Sequence, residues 1–361
     1  MQIITDRRAL HRIPELDRDL LKTLEYVTAA LQGLGCYVST PTAGSICAWF
    51  DFGAASGIAF RADLDALPIT ECTGAAYAST HPGKMHACGH DGHTAILLEL
   101  ARRLSKKKGL RHNILLIFQP AEETTGGARA ICESGILQEH RVEAVFGLHI
   151  WPGLEKGAIF CRENEVMSHA CEVDVQFYGR SAHVAKAHEG IDTMAAAAEF
   201  LRQAAQAEKA YPDHIHRLLK FGHMESGTVR NAVAAHTRLE GCLRAFQDEV
   251  FDGLKQSLFD IATRVEQQFG CRVEIGLNDG YPAVMNPPEL VRTVSALVPL
   301  AHPGDPSMTA EDFAWYQRCV PGLFFWLGAG DVPPLHSNDF DFDESILTLG
   351  ADFFETLAET F

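Results

Sequence analysis

Cys88 and His90 are separated by one glycine in the run Met85-His86-Ala87-Cys88-Gly89-His90-Asp91. They can offer a thiolate and an imidazole to one metal ion, and both are good ligands for Zn2+ and similar ions. His86 and His93 stand beside them, and Asp91 suits the cap of the helix that the next residues predict. A Cys-x-His alone is usually a buried thiol with an unrelated imidazole, but three histidines clustered at a helix start weigh against that. Glu122-Glu123 follows the apolar run 113–118 through Gln119-Pro120-Ala121. Adjacent carboxylates at the C-terminal end of a parallel strand lie where open α/β sheets hold their sites. Successive side chains point differently, so one can bind a metal while the other takes a proton from water, as metal-assisted hydrolysis requires. His149 ends the next apolar run, and Asp63 and Asp65 follow the run 57–62. Asp65 is placed to orient a ligand histidine from behind, with capping of the next turn as its bland alternative. His336 lies in a turn-rich stretch and carries no signal alone. As a set, four or five candidate ligands sit at the ends of successive expected strands. Five exceed what one tetrahedral ion uses, so two ions sharing a ligand follow.

Those strands come from the apolar pattern. Runs at 45–52, 57–62, 113–118 and 144–149 read as buried strands, with helices at 92–107 and 125–134 between them. Residues 5–34 read as helical with a break near Pro14. Strand and helix in succession imply a mostly parallel sheet covered on both faces. The middle of the chain changes character. Strands at 171–178, 218–226, 237–246 and 271–277 alternate with helices at 192–210 and 248–269, a βαββαβ order of ferredoxin-like type. The expected fold is therefore α/β, with a discontinuous catalytic domain, 1–167 and 281–361, interrupted by an α+β domain at 168–280. Helices at 287–300, 310–317 and 344–357 and a strand at 323–327 complete the first domain.

The 361 residues carry a formal charge of −16, with 47% hydrophobic and 22% charged residues, an ordinary soluble-enzyme composition. An acidic surface argues against nucleic acid and anionic membranes as partners. The first residues lack a basic start followed by an apolar run, no stretch is long and apolar enough to span a bilayer, and the ten cysteines include no C-x-x-C pair. A reducing cytoplasm is the expected location.

Several ordered segments resemble the M20 metallopeptidase family, in particular its amidohydrolase branch of aminoacylases, N-acetyl-diaminopimelate deacetylases and auxin-conjugate hydrolases. They are Leu10-His11-Arg12-Ile13-Pro14-Glu15-Leu16, Arg61-Ala62-Asp63-Leu64-Asp65-Ala66-Leu67-Pro68, the 85–91 run, Phe118 to Glu123, Gly147-Leu148-His149, Gly179-Arg180-Ser181-Ala182-His183, Glu311-Asp312-Phe313 and Leu335-His336. The resemblance implies Cys88 as a bridging metal ligand, His90, Glu123, His149 and His336 as the other ligands, and Glu122 as general base. It implies that the inserted domain is a lid and dimer interface, that His183 stabilises the oxyanion across a homodimer, and that Asn231 and Arg244 hold a substrate carboxylate. Two divalent ions, Zn, Mn, Co or Ni, are the implied cofactors. Departures fall on the substrate side: Ala232-Val233-Ala234-Ala235-His236 after Asn231, Gly241-Cys242, and Ser307-Met308-Thr309-Ala310. The expected reaction is hydrolysis of a small N-acylated amino acid to a carboxylate and a free amine. A dipeptidase of the same chemistry and a non-catalytic ligand-binding protein are the rival readings.

Overall fold

Pro14 has no N–H to give to a helix, and the expected helical stretch is split around it into α1 (Gln2–His11) and α2 (Leu21–Leu31). The computed structural model describes all 361 residues. After α2 come β1 (Tyr37–Ser39), β2 (Ile46–Phe50), β3 (Gly57–Asp63), α3 (His90–Leu104), β4 (Asn113–Gln119), α4 (Ala128–Glu133), α5 (Ile136–Glu139), β5 (Val142–Pro152), β6 (Ile159–Phe160) and β7 (Asn164–Met167). The middle of the chain supplies β8 (His169–Tyr178), α6 (Thr193–Lys209), β9 (Arg217–Ser226), β10 (His236–Ala245), α7 (Asp248–Phe269) and β11 (Arg272–Leu277). The chain closes with β12 (Val284–Asn286), α8 (Pro288–Ser295), α9 (Ala314–Gln317), β13 (Gly322–Gly330) and α10 (Ser345–Thr360).

Two compact units result: Met1–Val166 with Met285–Asp305 and Asp312–Phe361, and Met167–Val284 with Pro306–Glu311. The first holds a seven-stranded sheet in the order β1-β2-β4-β3-β5-β13-β6. Its four inner strands, β4, β3, β5 and β13, are parallel, and antiparallel strands close both edges. β3 and β4 are buried along their whole length. This is why they read as unbroken apolar runs rather than alternating ones. Phe60, Phe146, Phe325, Phe353 and Phe354 interlock in the core beneath α10. α3 is also enclosed, with twelve of its fifteen residues buried.

The second unit is a four-stranded antiparallel sheet in the order β11-β8-β10-β9. Alternate residues Cys171, Val173, Val175 and Phe177 of β8 pack on Phe200 of α6 and on Leu254, Leu258 and Ile261 of α7. The Asp192 carboxylate accepts the N–H groups of Met194 and Ala195 and so starts α6. Gly270, with φ +69°, ends α7.

One segment differs from the sequence expectation. Residues 310–317 read as a single helix, but only Ala314–Gln317 is helical. Residues before it are irregular: Ser307 makes a single bridge to Met167, and Ser168 donates its N–H to the Thr309 carbonyl. Pro306–Glu311 therefore belongs to the second unit, although its sequence position lies far beyond 168–280.

Candidate metal centre

β3, β4 and β5 run parallel and finish at one edge of the sheet, where the N-terminus of α3 also lies. Gly89 adopts φ +85° and turns the chain into α3, between Cys88 and His90. A Cβ on Gly89 would stand 3.5 Å from that of Ile150, so this turn is seated against the end of β5. Cys88 Sγ lies 3.4 Å from His149 Nε2. Glu123 Oε1 lies 3.7 Å from His90 Nε2 and 3.2 Å from His336 Nε2. Potential ligand atoms of Cys88, His90 and His149 fall within 4.8 Å of one another, as do those of Cys88, Glu123 and His336 and those of His90, Glu122 and Glu123. Cys88 is common to the first two groups.

Two of the three imidazoles are held from behind. His90 donates Nδ1–H to the main-chain carbonyl of Asp65 at 2.8 Å, and His149 donates Nδ1–H to that of Ile150 at 2.7 Å. In the neutral rings, the form that ligates a cation, both Nε2 lone pairs are directed into the cluster. The carboxylate of Asp65 lies 3.7 Å from the same His90 Nδ1 and has a further role. It accepts the N–H groups of Glu122 and Glu123 at 3.0 and 3.1 Å, fixing the turn that Ala121 makes at φ +60°. His336 has φ +65°, and its N–H is tied to the Ala87 carbonyl. A left-handed backbone at non-glycine residues costs free energy and persists where surrounding contacts enforce it. Trp151 stacks on Trp326 at 4.8 Å and meets His149 edge-on.

The electrostatics are those of a cation site. Burial would lower the His90 pKa, but the charges of Asp63 and Glu123 and the contact with Asp65 lift it to about 10. Burial and the charges of Glu123 and Glu122 push the Cys88 thiol well above its usual range. Without a cation, burial and the neighbouring carboxylates favour protons on Cys88 and His90. His90 Nε2 and Glu123 Oε1 are buried without a well-formed hydrogen bond, Oε1 having only its ion-pair contact with His336. Orphaned buried polar atoms are rare, and these two face each other across the centre of the cluster. The donor set of one thiolate, three imidazoles and carboxylate oxygen fits divalent transition ions. His93 is not available to it: the Ile150 N–H donates to Nε2 at 2.9 Å, and Nδ1–H donates to Asp63 Oδ1 at 2.6 Å.

Two buried networks around the cluster went unread in the sequence. Arg61 donates to Asp63, Gln119 and Asp312, and Asp312 in turn accepts the N–H groups of Gly127 and Ala128 that open α4. Arg7 pairs with Asp91 at 2.9 Å, and His11 lies between Asp91 and Glu71. Charged residues inside apolar runs, as in Phe60-Arg61-Ala62-Asp63, were the available signal, since unpaired charges are almost never buried.

In the second unit, His183 bridges by main chain to Ala232, and Val184 donates to the carbonyl of Asn231. His183 and Asn231 are thus neighbours and both are exposed. Arg244 stands near the far end of β10, with Nη1 on the Met308 carbonyl at 2.5 Å. The eight residue steps from His236 to Arg244 span roughly 26 Å of strand, so Arg244 does not join the other two within this unit.

A parallel sheet carrying clustered thiolate, imidazole and carboxylate donors, with Glu122 beside them, fits a metal-dependent hydrolase class. Residues 59–360 match peptidase family M20/M25/M40, and the chain belongs to this family. An uncharacterized hydrolase of Staphylococcus haemolyticus is 35% identical over 97% of this chain and 96% of its own. The Bacillus subtilis YXEP protein, a dinuclear metal binding peptidase from the M20 family, superposes with a TM-score of 0.86 at 29% identity, covering 99% and 96% of the two chains. A hydantoinase/carbamoylase family amidase of Burkholderia multivorans shares the fold at 15% identity, with a TM-score of 0.71 over 99% and 97% of the chains. The protein is an M20 family hydrolase, and no helix in it is long and apolar enough to cross a membrane.

Proposed function

We propose that the protein hydrolyses the amide bond of small N-acylated amino acids, with Cys88, His90, Glu123, His149 and His336 holding two divalent ions and Cys88 shared between them. The observation that carries this reading is the convergence of those five side chains around Cys88, with Glu122 on the same turn as Glu123. Bound divalent ions would polarise the amide carbonyl and acidify water. Glu122 takes the proton from the attacking water and returns it to the departing amine, and the Asp65 carboxylate holds the Glu122 backbone in place for this. His183 supplies a donor to the developing oxyanion, and Asn231 and Arg244 receive the substrate carboxylate, in a homodimer formed through the second unit.

An N-acylated substrate is favoured over a peptide with a free amine by the carboxylates of the first unit's cluster. Asp63 is taken by Arg61 and His93, and Asp65 by two backbone N–H groups. With Glu122 and Glu123 in the roles above, none of these four carboxylates is left to pair with an ammonium group. The ten free cysteines fit a reducing cytoplasm.

The test is a hydrolysis screen of N-acetyl amino acids against free dipeptides with Zn2+, Mn2+, Co2+ and Ni2+, run on wild type and Glu122→Gln. Turnover of acylated substrates should fall at least about 100-fold in the variant, the usual contribution of a general base, with the metal content unchanged. Equal turnover by Glu122→Gln, or preference for free dipeptides, overturns the reading.

A further inference from the structure

We infer that Asp63, His93 and the backbone of Ile150 form a positioning chain that sets how tightly His149 holds its metal ion, although His93 itself donates nothing to the ion. The inference rests on the metal-binding reading above and adds to it a residue outside the ligand set.

The chain is continuous and buried. Asp63 Oδ2 is anchored by Arg61 Nη1 at 2.7 Å, while Oδ1 accepts Nδ1–H of His93 at 2.6 Å. His93 Nε2 accepts the N–H of Ile150 at 2.9 Å, and the carbonyl of Ile150 accepts Nδ1–H of His149 at 2.7 Å. A backbone N–H can only donate, so His93 is neutral with its proton on Nδ1. Pairing of β3 with β5 stops at Arg61 and Gly147. Beyond that point Ile150 has no β3 partner, and two side chains take over its N–H and its carbonyl. The peptide groups on either side of the Ile150 Cα are thereby pinned, one by His93 and one by His149. The helix presses on the same residue: a Cβ on Gly92 would fall 2.8 Å from Ile150 Cδ1. Ile150 is held by side-chain packing and by His93, and the orientation of the His149 ring follows from it.

His93 makes two separable contacts. The amide of asparagine reaches about as far as Nδ1 and keeps the Asp63 contact; the amide of glutamine reaches about as far as Nε2 and keeps the Ile150 contact. We would measure the dissociation constants of both ions by competition with a chromophoric chelator, together with the thiolate-to-metal absorption of the Co2+ form. His93→Asn should weaken one of the two ions about 10- to 100-fold, the usual effect of losing a contact behind a ligand, and perturb the Co2+ spectrum. His93→Gln should restore most of the affinity. Thr23→Val, which removes a buried hydroxyl bonded to Glu15, should lower thermal stability without moving either constant. Wild-type constants in His93→Asn, or equal weakening in both His93 variants, overturn the chain. Should His93→Asn fail to fold, nitrogen NMR of histidine-labelled wild type decides the matter: a proton on Nε2 of His93 excludes it. Wild type that binds no ion at all would instead remove the metal-binding reading.

Discussion

His11 shows how a buried charge beside the candidate centre ties stability to pH. Its Nδ1 lies 2.8 Å from Asp91 and its Nε2 3.3 Å from Glu71. Burial alone would lower the pKa, but the Asp91 charge and the two hydrogen bonds raise it from 6.5 to about 9. The folded state therefore binds a proton that the unfolded chain releases near pH 6.5. The stabilisation is complete below about pH 6.5 and is lost as pH rises through 9, a linked contribution of roughly 3 kcal/mol. Thermal unfolding of wild type and His11→Gln at fixed metal concentration should show the wild-type advantage at pH 6 shrinking by pH 9.5. A difference that stays constant across that range would show that His11 is neutral in the folded protein. Asp65 makes a separate point at this scale. Its main-chain carbonyl holds His90 Nδ1, and its carboxylate, 3.7 Å from the same nitrogen, accepts two backbone N–H groups.

At the scale of elements, α3 brings Cys88 and His90 to the ends of β4 and β5, and Gly92 allows the approach. A Cβ there would meet Ile150 Cδ1 and Phe342 Cζ at 2.8 Å each. Alanine is intrinsically better in a helix by about 1 kcal/mol, whereas overpacking a core costs about 1–3 kcal/mol. The steric term should win, so Gly92→Ala is expected to lower thermal stability and to weaken metal binding by lifting the first turn of α3. A variant more stable than wild type with unchanged affinity would mean that α3 has slack at this point. Much of this arrangement was legible from periodicity, because β3, β4 and β5 are covered on both faces and their apolar runs are unbroken. The ends of those runs located Asp63, Glu122, Glu123 and His149. Short edge elements such as β1 and β6 have too few residues to show a period. The Arg61–Asp312 contact joins residues 251 apart, and nothing local in sequence announces such a pairing. Residues 310–317 carry helical spacing, but the buried Asp312 carboxylate is committed to Arg61, Gln119 and the N–H groups of Gly127 and Ala128, and the helix begins only at Ala314.

At the scale of the whole molecule, the five candidate ligands and Glu122 lie in the unit containing Met1–Val166 and Asp312–Phe361, while the other unit has a hydrophobic core of its own. An ion that binds the folded state stabilises it by about 2.7 kcal/mol at one hundred times its dissociation constant and about 4.1 at one thousand times. That stabilisation belongs first to the segments the ligands come from. Hydrogen exchange read by mass spectrometry, with and without a chelator, should therefore respond unevenly. Peptides covering residues 85–95, 118–126, 146–152 and 333–340 should lose protection when metal is removed. Peptides from β8, β10, α6 and α7 should exchange as before, because their amides are bonded within a sheet and helices that carry no proposed ligand. Equal loss of protection across both units would show that they open as one cooperative body, and unchanged protection at 85–95 and 146–152 would place the ion elsewhere in the chain.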